Sequence, residues 1–307
     1  ARRWSARRCS TRRSLACRLP RAGRAHKFRR MEMTDRTRGQ AGAGAAPRVR
    51  SFGYVNWRGV WTLYHREVKR FLKVFTQTIA APVATTLLFY TIFSVALENR
   101  VGTIGAVPFV VFLAPGLIMM TILQNSFANT SSSIMVSKVQ GNIVDVLMPP
   151  ISPLEMMCAY IAGGVTRGMI VATASTTAMF FLVDLPFENP AVIAFFALSA
   201  SVMLALLGMI GGIWADKFDH MAAITNFVIV PLSFLSGTFY SIERLPETWQ
   251  YVAQFNPFFY AIDGFRFGFI GQGDAGFWLG AAVILGVDLV LFVIVHRMLV
   301  TGYKLKS

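Results

Sequence analysis

The first periodic pattern along the chain lies at residues 57–75, WRGVWTLYHREVKRFLKVF, where apolar side chains recur at 57, 60, 61, 64, 68, 71, 72 and 75. That i, i+3, i+4, i+7 spacing is the face of an α-helix. Arg58, Arg66, Lys69, Arg70 and Lys73 fall in the opposite sector. A helix with Trp57 and Trp61 on one side and cations on the other suits the headgroup plane of a membrane, where lysines and arginines meet anionic lipid. A water-soluble amphipathic helix is the alternative, and the apolar run that begins at 76 weighs against it.

Six apolar stretches follow, near the roughly 20 residues needed to cross a hydrocarbon core: 76–96, 108–128, 159–183, 191–214, 222–240 and 277–295. Between the last two lies 231–269, PLSFLSGTFYSIERLPETWQYVAQFNPFFYAIDGFRFGF. Its apolar run reaches Tyr240, charges and Pro246 interrupt at 243–247, and the segments 245–255 and 258–270 are each too short to span. Pro246, Asn256 and Pro257 mark its breaks, and Leu235, Ser236 and Gly237 stand near the end of the apolar run. Irregular backbone at membrane depth must be covered by protein or water, so this segment is expected to dip into the outer leaflet beside the sixth span. Asp263 and Arg266, three apart on one helical face, are expected to pair. The pattern as a whole predicts an all-α membrane protein: six transmembrane helices, an N-terminal amphipathic interfacial helix, and a short re-entrant helical hairpin between spans five and six.

The segment 131–157, SSSIMVSKVQGNIVDVLMPPISPLEMM, is the longest loop on the side of the termini. Ile134, Val139, Ile143, Val144 and Leu147 recur at helical spacing up to Pro149 and Pro150, predicting a short helix along the membrane that prolines end. So many apolar residues in a loop need a surface to bury against.

Composition agrees with this pattern. The 307 residues are 54% hydrophobic and only 15% charged, against roughly 25% in soluble domains. The net charge of +15 is uneven: residues 1–75 hold 21 of the 30 Lys and Arg against three acids, and the remainder is slightly acidic. The basicity therefore belongs to a tail, and no nucleic-acid partner is expected. Residues 1–51 read as a basic, disordered tail ending in the Gly/Ala linker GQAGAGAAP (39–47), and residues 52–307 as the six-span domain. For residues 1–30, an organelle-transit segment and an extension upstream of a start at Met31 or Met33 both stay open. With six spans both termini share one side, together with Lys138, Lys217, Arg297, Lys304 and Lys306, so the positive-inside rule makes them cytoplasmic.

Two ionisable residues interrupt the spans, Arg167 and Asp288. Buried charges in membranes are commonly paired and functional, so the two are expected to face the bundle and neutralise each other; snorkelling of Arg167 is the alternative. A secondary transporter or channel relaying ions through this pair is one functional reading. No G-x-x-x-x-G-K-[ST] loop and no G-x-S-x-G occur, and His26, His65, His220 and His296 have no second ligand at metal spacing. Cys9, Cys17 and Cys158 form no motif. No catalytic residue, metal or cofactor is expected in this chain.

The basic amphipathic helix, the six spans, GNIVDVLMPPISPLEM (141–156) and above all 231–266 resemble the membrane subunits of type-2 ATP-binding-cassette exporters. The matching signature is L-S-G-x-F-Y, then L-P, then N-P-x-x-Y-x-I-D-x-x-R. The resemblance implies that Gly141, Asn142, Ile143, Val144, Asp145, Leu147, Pro149 and Pro150 dock into a separate ATPase subunit, together with the interfacial helix bearing Trp57, Trp61, Arg66, Lys69, Arg70 and Lys73. It further implies pairing with a second permease copy, residence in a bacterial inner membrane, and ATP-driven export of an amphipathic, lipid-like, drug or glycan substrate.

Overall fold

A computed structural model describes residues 55–104, 107–242 and 246–304, without the side chains of 98–101. The expected basic tail, and Glu243 to Leu245 in the hairpin, lie outside the described residues. The remainder is almost wholly helical. In order come α1 (Trp57–Leu72), α2 (Ala81–Val101, led in by a π-helical turn at Thr76–Ala80), α3 (Phe109–Val139), α4 (Ile143–Leu147), α5 (Pro153–Phe180), α6 (Pro190–Trp214), α7 (Phe218–Ile224), α8 (Val230–Leu235), α9 (Glu247–Gln254), α10 (Pro257–Ile270) and α11 (Phe277–Thr301). A second π-helical turn, Thr225–Ile229, joins α7 to α8. A two-residue antiparallel pair, β1 (Thr103–Ile104) with β2 (Val107–Pro108), turns the chain between α2 and α3 in the register Thr103↔Pro108.

Among the described residues, six helical stretches are long and apolar enough to cross a membrane: Thr76–Leu97, α3, α5, α6, Phe218–Leu235 and α11. Their number matches the pattern; several of their ends do not. The second span continues to Val139, absorbing the first part of the expected loop helix. No proline or glycine occurs between Ala128 and Gly141, whose φ of +72° suits glycine, and the last turns of α3 find partners. Ser133 Oγ donates to Glu67 at 2.7 Å, and Lys138 Nζ caps the end of α6 by donating to Ile213 O at 2.8 Å and Ala215 O at 2.6 Å. Only α4 remains of the loop helix. The fifth span starts earlier than expected, at Phe218, and ends at Leu235, so the L-S-G-x-F-Y motif is mostly turn.

The bundle is built around α3, buried along most of its length, whereas the first, fifth and sixth spans are buried along little of theirs. Hydrocarbon supplies no hydrophobic drive between helices, so close packing and interhelical hydrogen bonds hold them. The chain meets this with small residues one turn apart, Gly164 and Gly168 on α5 and Gly208 and Gly212 on α6. A Cβ at Gly208 would run into Thr130 Oγ1 and lie 2.5 Å from Phe127 O. The approach this allows lets Thr130 Oγ1 donate across to Ala205 O at 2.8 Å.

Candidate functional site

Three regions gather the polar side chains. The first lies around α8, α9 and α10, where the motif residues of 231–266 meet although they span three helices and the turns between them. Asn256 caps α10 by accepting from Phe258 N, and its Nδ2 donates to Leu232 O (2.9 Å) and Ser236 Oγ (2.7 Å). Gly237 turns the chain at φ +75°, and its carbonyl accepts from Arg266 at 2.8 Å. The fully buried Arg266 guanidinium also lies 3.7 Å over the Phe112 ring, a cation–π contact strengthened by exclusion of water. Gly116 on α3 leaves room for this, since a Cβ there would lie 2.6 Å from Thr238 O and 3.1 Å from Arg266 Nη2.

The expected Asp263–Arg266 pair is not made. Asp263 instead accepts from the backbone N–H groups of Asp274 (2.8 Å) and Ala275 (2.9 Å), fixing the turn into α11. Asp274 in turn accepts from Ser241 Oγ (3.0 Å) and Ile242 N (3.2 Å). Two backbone N–H groups of the turn occupy the Asp263 carboxylate, while the rotation of α10 directs Arg266 at Gly237. Pro246 precedes α9; its Trp249, Tyr251 and Val252, and Phe255 just after it, are exposed, whereas α10 is buried against α3, α6 and α11.

The second region is the opposite end, where α1 meets α4 and α5. Asn56 caps α1 by accepting from Gly59 N (3.0 Å); its own N–H donates to Glu155 Oε1 (2.6 Å) and its Nδ2 to Pro150 O (3.2 Å). Glu155 also closes the capping box with Ser152 at the start of α5. One residue thus ties α1, the end of the 141–150 segment and α5 together. Ile143 and Val146 of α4 are buried, while Val144, Leu147 and Met148 face out, Met148 at 76% exposure. The apolar residues expected to share one surface are thus divided: Ile143 is buried with Val146, whereas Val144 and Leu147 are exposed.

The docked face of α1 also corrects the sequence reading. Leu63, Glu67 and Phe71 are its buried residues, and Trp57 and Trp61 are exposed along with Arg66, Lys69 and Lys73. Arg70 does not join the outward cations: it pairs with Glu67 at 3.1 Å and donates to Ser132 Oγ, Asn129 O and Asn129 Oδ1 on α3. Glu67 is the only acid in a basic helix, and that was the one sign in the sequence of an inward polar lock. Gly163 on α5 makes room for it, as a Cβ there would lie 2.9 Å from Glu67 Cβ.

The third region is a cleft of about 380 Å³ between the first, second and fifth spans. Gln77, Thr85, Thr86, Thr121, Gln124, Asn125 and Thr225 give it a polar wall without a carboxylate. Both π-helical turns reach it, through Gln77 and Thr225; π-turns in helices concentrate at functional sites. Arg167 backs this wall by donating to Asn125 Oδ1 at 3.0 Å. Arg167 and Asp288 form no ion pair, and each retains a buried polar atom without a partner, Nε and Oδ1 respectively. Asn125, which spacing alone did not single out, takes the contact expected of Asp288. Among the described residues no group of His, Cys, Asp and Glu is arranged to hold a metal.

Comparison with known proteins decides the family. The ABC-2 type transporter family matches residues 58–270, from the first turn of α1 to the end of α10. The chain belongs to that family. It is 31% identical over 254 residues to the inner membrane transport permease YadH of Escherichia coli strain K12, covering 83% of this chain and 99% of the relative. It is 24% identical over 249 residues to nodulation protein J of Rhizobium leguminosarum bv. viciae, covering 79% and 93%. This ABC-2 chain is an integral membrane protein and the permease subunit of a transporter, a role in transport rather than catalysis. α4, α9 and α10 lie within the matched residues, while Asn56, Trp57, Asp274 and Ala275 lie just outside them.

Proposed function

We propose that this permease is the membrane half of an ATP-driven exporter, energised by a separate ATPase subunit. The observation that carries the reading is the outward apolar surface of Val144, Leu147 and Met148, on a segment anchored from behind by Ile143 and Val146 and braced through Pro150 to Asn56. Exposed apolar surface on a braced segment suits a protein partner that pushes on it. In this reading Gly141, Asn142, Asp145, Pro149 and Pro150 complete the docking surface beside α1. Movement of the ATPase would then reach α5 through Asn56 and Glu155, and α3 through Glu67 and Arg70.

The polar cleft supports pairing with a second permease copy. Gln77 and Thr85 are exposed on its wall and Gln124 and Thr225 half-buried; facing lipid they would be costly, and a second copy across the first and fifth spans covers them while enclosing a conduit. Both termini are then cytoplasmic, the hairpin end faces outward as an external gate dipping into the outer leaflet, and the membrane is a bacterial inner membrane. The mixed polar and apolar walls suit an amphipathic cargo: a drug, a lipid or a lipid-linked glycan. The competing reading, an ion-coupled transporter or channel built on Arg167 and Asp288, loses support from the lack of contact between them.

The test is co-reconstitution with the partner ATPase. Leu147→Arg and Met148→Arg should abolish stimulation of ATP hydrolysis by the permease while leaving its thermal unfolding unchanged, because both side chains are exposed. Transport by the isolated permease on an ion gradient, abolished by Asp288→Asn, would refute the proposal.

A further inference from the structure

A second cavity, about 390 Å³, lies on the lipid-facing side between α6, the fifth span and α11. Phe127, Leu207, Val228, Leu232, Phe258 and Leu291 are among its lining side chains, which are almost entirely apolar. Along the fifth span it runs from Ile224 to Leu232, about 12 Å at helical rise. The span is tied down at both ends of this stretch. At one end Met221 reaches within 3.4 Å of where a Cβ at Gly211 would lie; at the other Asn256 holds Leu232 O. Between these ties it stands off α6 and α11, leaving a slot open to the membrane.

One mouth of the slot is built differently. Trp214 lines it, half-exposed, as tryptophans at headgroup depth commonly are. Lys304 Nζ sits 5.5 Å over the Trp214 ring and donates to Trp214 O and Asp216 Oδ2, both at 3.1 Å. Two of the three ammonium N–H groups are thereby used, and the third has no recorded acceptor among the described residues. Lys138 lies 3.6 Å from the same Asp216, so two ammonium groups share one carboxylate. Exposed Lys217 and Asp219 offset each other, and the His220 ring is 5.8 Å from Trp214. The mouth carries a net positive charge at the end of an apolar slot. Lys304 holds this position from a left-handed backbone, φ 52°, uncommon for a residue other than glycine.

We propose that this slot holds an acyl chain of an anionic phospholipid whose phosphate is seated at Lys304. Hydrocarbon fills the groove, the ammonium group meets the headgroup, and the lipid wedges the fifth span against α6 and α11. The charge at the mouth favours a lipid of net negative charge over a zwitterionic one, and it is this that argues for a lipid rather than a second copy of the chain.

Native mass spectrometry of the full-length protein, titrated with phosphatidylglycerol and with phosphatidylcholine of the same acyl chains, tests this directly. The unaltered protein should retain phosphatidylglycerol preferentially. Lys304→Gln should reduce that preference about fivefold, the effect of one basic residue near an anionic headgroup. Val228→Trp, which fills the slot from its exposed side, should reduce retention of both lipids alike. Equal retention of the two lipids by the unaltered protein, an undiminished preference in Lys304→Gln, or efficient disulfide cross-linking between copies of Val228→Cys would each overturn the proposal. Unchanged thermal unfolding of the two substituted proteins is the accompanying control.

Discussion

Asp263 and Glu67 are the buried carboxylates on which the two ends of the molecule close. Asp263 accepts two backbone N–H groups from the turn before α11, and Glu67 accepts from Arg70 and Ser133. An amide in place of Asp263 has one acceptor oxygen for the two donors, leaving a partly buried N–H facing an NH2 group. Asp263→Asn should therefore destabilise the permease by about 2–3 kcal/mol, the range for lost hydrogen bonds to a charged group, visible as a lowered midpoint of thermal unfolding in detergent. Glu67→Gln should cost less, about 1–2 kcal/mol, because Arg70 is partly exposed and keeps Asn129 and Ser132. Its clearer signature should be faster amide exchange in α1 alone. Sequence spacing identified Asp263, Arg266 and Arg70 as notable residues and misassigned the partners of all three. On an isolated helix the residue three positions away is the nearest partner; in a folded bundle a neighbouring turn or helix can be nearer.

At the scale of elements, glycines decide which helices can touch. Gly208 on α6 has Thr130 Oγ1 and Phe127 O in the space of a Cβ, and backbone cannot move aside as a flexible side chain can. Gly208→Val should force α3 and α6 apart and cost about 3 kcal/mol or more, measured as loss of folded protein on size-exclusion chromatography after mild heating. Gly286 on α11 has open space instead, so Gly286→Val should be tolerated. A further contact ties the end of α11 to the turn after α6. The hydrogen bond from Lys304 is the main cause holding the Asp216 carboxyl below the ordinary range, with the positive charges of Lys304 and Lys138 adding to it. A carboxylate whose pKa is lowered by folding contributes stability above its unfolded value, and that contribution is lost as pH falls through the lowered one. The contact should persist at pH 5 and be lost only in more acidic solution, read as increased amide exchange near residues 302–304. Because Asp216 is exposed, global stability should hardly follow.

At the scale of the whole molecule, the distribution of burial points beyond one chain. The first and fifth spans bury little of themselves yet flank a large cleft with polar side chains on its wall. If a second copy closes that cleft, Thr85→Cys should cross-link between permeases in native membranes, and Thr177→Cys, which lines a separate pocket between α5 and α6, should not. Cross-linking at Thr177 with none at Thr85 would put the partner on a different face.

The six spans, the amphipathic first helix and the break at Asn256 and Pro257 were all legible in the chain, because crossing hydrocarbon demands a local run of apolar residues and helix ends are set by nearby prolines, glycines and caps. The ends of α3 and of the fifth span were not, since Ser131 to Val139 are polar enough to read as loop until Glu67 and the end of α6 supply partners. The same division holds at the candidate site. Sequence marked Asn256, Asp263, Arg266 and the 141–150 segment as unusual. Only tertiary structure decided that Arg266 seeks Gly237, that Asp263 holds the turn into α11, that Arg167 meets Asn125 rather than Asp288, and that Val144 and Leu147 stay exposed while Ile143 is buried. The reason is physical: hydropathy depends on each residue's own transfer between water and lipid, whereas the choice of polar partner depends on how packed helices are rotated against one another, and no local spacing carries that rotation.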